Sequence, residues 1–97
     1  MIWLDVETAN AWSRVSALNA AVILGLLGSL RSLEPHAILG IYSDRHQWQE
    51  ITNGLSSPAN PEWTPQLDGA ACTESFAGGP VWLSQGGGAS LDLDHAC

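Results

Sequence analysis

Two carboxylates stand two residues apart near the start of the chain, in the run Ile2-Trp3-Leu4-Asp5-Val6-Glu7. In an extended strand Trp3, Asp5 and Glu7 project to one side, and Ile2, Leu4 and Val6 to the other. Two steps of strand rise put the Cα atoms of Asp5 and Glu7 about 6.5 Å apart. Carboxyl groups this close disfavour each other's ionisation, so one stays protonated while its neighbour carries the charge. A proton donor beside a fixed negative charge is what cleavage of a glycosidic bond requires. The same two acids also fit the start of a solvated loop, with Glu7-Thr8 helping to cap a following helix. Spacing alone leaves both readings open.

Other residues could serve such a site. Of the five tryptophans, Trp12 and Trp48 fall in helical stretches and read as helix-to-sheet core. Trp3 and Trp82 lie in strand-like runs and are candidates for stacking on a sugar ring. Tyr42 and Gln85 each end an apolar run, where a polar tip can reach into a site. Asp92-x-Asp94 offers too few oxygen ligands for a hard cation. His36, His46 and His95 have no metal-site spacing with the cysteines. Gly86-Gly87-Gly88 lacks the lysine and the helix of a phosphate loop. No metal and no cofactor is therefore expected. Cys72 and Cys97 flank a glycine-rich segment and read as a disulfide, the alternative being two buried thiols. A disulfide implies an oxidising, extracytoplasmic setting.

These residues have to be held by the elements around them. Residues 2–7 form a first β-run. A helix follows, with Asn10 or Ser13 as N-cap and an apolar face at Trp12, Val15, Leu18, Val22, Leu26 and Leu30. Leu33-Glu34-Pro35 ends it. Residues 37–42 are apolar on both faces, as a covered parallel strand should be. A short helix runs from about Arg45 to Asn53 and stops at Asn53-Gly54. Glu62-Trp63-Thr64 is a third, proline-flanked strand, and Val81–Gln85 a fourth, with a glycine link leading to the C-terminal SLDLDHAC.

The order β-α-β-α-β-loop-β predicts an α/β fold with parallel strands and helices on the outer face. A closed (β/α) barrel takes roughly 250 residues, so the 97 residues are expected to be a partial TIM-type barrel, its C-terminal half. The open barrel edges then offer a route to self-association. The acid pair falls at the C-terminal end of its strand, where barrel enzymes carry their chemistry.

Charge narrows the partners. Ten acids face three arginines and no lysine, a net charge of −7, which excludes a nucleic-acid partner for want of phosphate-neutralising groups. The apolar stretch 20–28 falls short of a bilayer and lacks the basic lead and cleavage site of a signal peptide. Neither membrane insertion nor a leader is expected of this chain.

Taken in order, WLDVE with Trp12 behind it, GIYS at Gly40–Ser43, FAGGPVWLSQ at Phe76–Gln85 and DLDHAC at Asp92–Cys97 resemble the family 25 glycoside hydrolases of lysozyme (N-acetylmuramidase) type. The likeness is closest to their actinobacterial glycoside-hydrolase-like relatives with a C-terminal cysteine pair. The resemblance implies a secreted or cell-wall-associated parent protein cleaving the β-1,4 bond between N-acetylmuramic acid and N-acetylglucosamine in peptidoglycan. It implies Glu7 as proton donor, Asp5 as its carboxylate partner and Asp92 as an accessory carboxylate. Trp3, Tyr42, Trp82 and Gln85 would line the sugar groove. The family's first-strand aspartate and the strands before the acid pair have no counterpart here. Activity is thus expected if those strands are supplied, the alternative being an inactive remnant or a cell-wall carbohydrate-binding module.

Overall fold

The computed structural model describes residues 1–65, 71–88 and 91–97, apart from the side chains at 71, 86–88, 91–93 and 95. Strand β1 (Ile2–Asp5) leads to helix α1 (Ser16–Leu33), β2 (Leu39–Tyr42), helix α2 (Arg45–Thr52) and β3 (Glu62–Pro65). A single 3₁₀ turn (Ala71–Thr73) precedes β4 (Val81–Gly88) and β5 (Leu91–Ala96). The sheet order is β1-β2-β3-β4-β5. The first four strands are parallel and β5 is antiparallel to β4. The sheet is open: β1 and β5 are its two edges, and no barrel closes among the described residues.

The mixed α/β architecture and the four parallel strands agree with the sequence reading, and the C-terminal strand departs from it. The glycines at 86–88 continue β4 rather than forming a link, because an antiparallel ladder needs only backbone groups, and Gly86, Gly87 and Gly88 pair with Leu93, Asp92 and Leu91. Pro65 also ends up inside β3, at its last position and beside Gln85.

Strand parity sorts the sheet into two faces. On the helix side Ile2 and Leu4 lie beside Leu39 and Ile41, joined by Val6, which adds one more ladder bond to Tyr42. The core packed there is Val6, Ile23, Leu27, Leu39, Ile41, Trp48, Ile51 and Ala77. Trp48 is buried on α2 as expected, its ring 5.3 Å from that of Phe76. Trp12 packs half-buried against the core from the loop before α1.

Helix α1 turns a different face inward than its leucine and valine spacing predicts. Asn19, Ile23 and Leu27 are buried, while Val15, Leu18, Val22 and Leu26 are 42–57% exposed. The reason is Asn19. Its side chain accepts from Ser13 N–H and donates to the carbonyls of Ser13 and Ile51. An amide satisfied on both ends can be buried at little cost, and this one rotates the helix about one residue from the apolar stripe. Val15, not Asn10 or Ser13, is the N-cap residue, and no side chain caps it. With 18 residues, α1 is by length and composition long and apolar enough to cross a membrane.

Helix α2 is bounded by local chemistry. Asp44 caps its first turn by accepting from Gln47 N–H at 2.8 Å, and Asn53 ends it in the left-handed conformation. The loop before β4 is organised by Glu62, which is fully buried. Its carboxylate accepts from the N–H groups of Phe76, Ala77 and Gly79 and from the Ser75 hydroxyl, at 2.7–3.1 Å. Gly79 is required for this approach, since a Cβ there would lie 2.0 Å from the Asn60 carbonyl oxygen.

Candidate active site

The other face of the sheet carries the polar and aromatic side chains. Parallel register aligns Trp3 with Gly40, Asp5 with Tyr42, and Tyr42 with Trp63. Pro65 pairs with Gln85, and Gln85 with Asp94. At the C-terminal ends of the strands Trp3, Asp5, Tyr42, Trp63 and Gln85 line one open cavity of about 300 Å³.

Its walls are fixed by mutual contacts. The Trp63 ring stands edge-on to Trp3 at 5.6 Å and to Tyr42 at 4.9 Å between centroids, the geometry that ring quadrupoles favour. The Tyr42 hydroxyl donates to Gln85 Oε1 at 2.7 Å, and Trp63 Nε1–H donates to Asp94 Oδ1 at 3.1 Å. Trp3 lies flat across Gly40, where an added Cβ would come within 2.3 Å of its ring. The absence of a side chain at position 40 is what lets an indole cover the strand.

Glu7 follows just beyond the end of β1 and is held on its backbone. Its carbonyl accepts from Trp12 Nε1–H at 2.9 Å and from Asn10 N–H at 3.0 Å. The next residue is clamped as well: Thr8 N–H and Oγ1 donate to Gln47 Oε1, whose amide nitrogen donates in turn to Asp44 Oδ2. The Glu7 carboxyl is hydrogen-bonded to Asp5, and this contact raises its pKa above the ordinary value. Desolvation adds to the rise, followed by the charges of Asp5 and Asp44. The direction of the shift favours the protonated form of Glu7 over a wider pH range than an isolated glutamate would show.

Of the sequence-predicted residues, Trp3, Asp5, Tyr42 and Gln85 come together in the cavity, and Glu7 adjoins it through Asp5. Trp82 does not line it. The register between β3 and β4 slips there, Glu62 opposing Val81 and Trp63 opposing Leu83, so Trp82 is the extra residue of a bulge near the start of β4, 41% exposed. Asp92 lies on β5 opposite Gly87, and its side chain lies outside the described residues. Cys72 and Cys97 are bonded, S–S 2.11 Å. No group of three or more histidine, cysteine or acidic side chains able to hold a metal ion occurs among the described residues.

Sequence reasoning missed Trp63, which lines the cavity, and Asp94, which accepts its indole N–H. For Trp63 the signal was present: it shares strand parity with the inward side of β3 once Tyr42 is placed. Asp94 required knowing that the last segment folds back antiparallel.

The fold is thus an open α/β sheet of four parallel strands and one antiparallel strand, with an aromatic-walled cavity at its strand ends and Asp5 and Glu7 beside it. Residues 1–74 match the family model described as lysozyme-like protein 1, and the chain belongs to that lysozyme-like family. The match supports the lysozyme-like part of the sequence resemblance, without selecting family 25 in particular. No curated protein and no solved structure matches the chain.

Proposed function

We propose that the chain carries the acid pair and part of the sugar groove of a peptidoglycan-cleaving glycoside hydrolase. Glu7 is the proton donor to the glycosidic oxygen and Asp5 the carboxylate that keeps it protonated. The observation that carries this reading is the Asp5–Glu7 hydrogen bond, with its upward effect on the Glu7 pKa, beside a cavity walled by Trp3, Tyr42 and Trp63. Indole and phenol faces stack on the apolar faces of pyranose rings, while the Gln85 amide and the Asp5 carboxylate suit hydroxyl and N-acetyl groups. Membership of the lysozyme-like family supports a β-1,4-linked amino-sugar polymer as substrate.

In this reading the sheet is part of a larger parallel barrel of family 25 type, and further strands, or a second copy, add at the free edge of β1. Asp92 is an accessory carboxylate and Trp82 a more distant sugar contact. The Cys72–Cys97 bridge fits an extracellular or cell-wall location.

The deciding experiment is turbidity loss of purified peptidoglycan, run with the 97-residue chain beside Glu7→Gln. The swap keeps the shape of the side chain and removes its proton. Clearing by the parent chain and none by the variant is expected. Equal clearing by both would remove Glu7 from its role. Saturable binding of N-acetylglucosamine oligomers, followed by tryptophan fluorescence, without clearing by either protein would make the chain a carbohydrate-binding module.

A further inference from the structure

A second cavity, of about 360 Å³, opens between the segment after Glu7 and the last turn of α2. Its volume lies in the range that holds small organic ligands. Most polar groups on its wall are already committed. Both donors of Thr8 go to Gln47, Trp12 Nε1–H goes to the Glu7 carbonyl, and Asn10 Nδ2–H goes to the Asp5 carbonyl. Ser13 Oγ accepts from Val15 N–H, which leaves its own proton to donate.

The groups left to meet a ligand are of two kinds. Arg14 and Ser13 supply donors, while the Asn10 amide oxygen and Glu50, whose exposed carboxylate also faces His46 at 3.6 Å, supply acceptors. Arg14 and Glu50 line the same cavity without pairing: the ion pairs among the described residues are Arg45–Glu74 and His46–Glu50. In a chain with three cations against ten acids, Arg14 forms no ion pair among the described residues, although Glu50 lines the same cavity. A ligand bridging them must carry a negative group at one end and a positive one at the other.

We propose that this cavity binds a zwitterionic amino acid or short peptide. The ligand carboxylate meets the fork of Arg14 and the Ser13 hydroxyl, since a guanidinium matches a carboxylate two bonds at a time. The ligand ammonium meets Glu50 and the Asn10 carbonyl oxygen. Its apolar part lies against Trp12 and Ile51. The site is separate from the aromatic cavity at the strand ends and does not depend on the chemistry assigned to Asp5 and Glu7.

The test is a titration of the full ¹⁵N-labelled chain with L-alanyl-L-alanine, followed by amide chemical shifts. N-acetyl-L-alanine, which keeps the carboxylate alone, and L-alaninamide, which keeps the ammonium alone, are run beside it. Saturable shifts at residues 10–14 and 50–51 are expected, with each half-ligand about tenfold or more weaker, as loss of one charged hydrogen bond dictates. Arg14→Gln and Glu50→Gln, both at exposed positions, should each weaken the dipeptide by a similar factor while leaving the remaining spectrum intact. Shifts absent from those residues would overturn the proposal. So would N-acetyl-L-alanine binding as tightly as the dipeptide, or full affinity in Arg14→Gln.

Discussion

The indole N–H of Trp63 donates to the Asp94 carboxylate at 3.1 Å, so a residue of the last strand orients a ring of the central cavity. Trp63 touches both Trp3 and Tyr42, which makes it the hub of the aromatic wall. Its edge-on contacts hold the ring laterally, and the hydrogen bond sets its rotation about Cβ–Cγ. Asp94→Ala is therefore expected to loosen Trp63 without unfolding the sheet. Near-ultraviolet circular dichroism should lose tryptophan intensity, and any affinity for N-acetylglucosamine oligomers should fall by about three- to tenfold, the worth of one hydrogen bond near the surface. An unchanged near-ultraviolet spectrum would mean that the ring contacts alone hold Trp63.

The acid pair predicts a direction of pH dependence. Glu7 is raised above its ordinary value of 4.5, chiefly by the Asp5 hydrogen bond. Between its unfolded and folded values the native chain binds more protons than the unfolded one. The Glu7 contribution to stability is thus full at low pH and is lost as pH rises through the raised folded value. Asp5→Ala removes both the hydrogen bond and the neighbouring charge, leaving only desolvation and Asp44. Carboxyl-carbon NMR titration should show Glu7 moving down toward 4.5 in that variant, and the fall in urea stability above that pH should flatten. A Glu7 that titrates at the same pH in both proteins would show that burial, not Asp5, holds the proton.

Glu62 has a different role, and the contrast is instructive. Both Glu7 and Glu62 are acids at strand ends, yet Glu62 is fully buried and receives four donors from residues 75–79. It is the knot of the loop that leads into β4. Glu62→Ala would leave three backbone N–H groups and a hydroxyl without their acceptor, at a cost of about 3 kcal/mol or more. For a domain whose whole stability is about 5–15 kcal/mol, that is a large fraction. The urea midpoint should drop accordingly, and Glu62→Gln, which keeps one acceptor oxygen, should lose less. Equal midpoints for Glu62→Ala and the parent chain would refute the role.

What could be read in advance followed from alternation and punctuation. Asp5 and Glu7 at period two, the apolar run through Ile41, the Asn53-Gly54 stop and the proline limits were enough for a parallel α/β sheet with its acids at a strand end. Three features depended on partners that no local pattern encodes. Asn19 overrode the leucine stripe of α1 because its hydrogen bonds come from Ser13 and from Ile51, 32 residues away. The bulge that turns Trp82 out of the cavity arises between β3 and β4. The antiparallel return of β5 puts Asp94 against Trp63 through a ladder in which three of the six β4 positions are glycines, which sequence reads as a break.

The disulfide is the last fastening of that return strand. Cys97 follows β5 and is tied to Cys72 in the 3₁₀ turn, across 25 residues, and its N–H donates to the Trp82 carbonyl. Beyond these, β5 is held by its ladder to β4 and by the Asp94–Trp63 bond. A loop of this length contributes roughly 3 kcal/mol in the chain-entropy model. Cys72→Ser/Cys97→Ser is expected to lower stability by about that amount. The effect on structure should be uneven, because β1, β2 and the helices pack around a core that contains neither cysteine. Amide hydrogen exchange should accelerate first in residues 91–97, then at Trp63 and Gln85, while Leu39 and Ile41 stay protected. Exchange that accelerates evenly across the sheet would mean that the bridge stabilises the whole domain as one unit, with no local hold on the cavity wall.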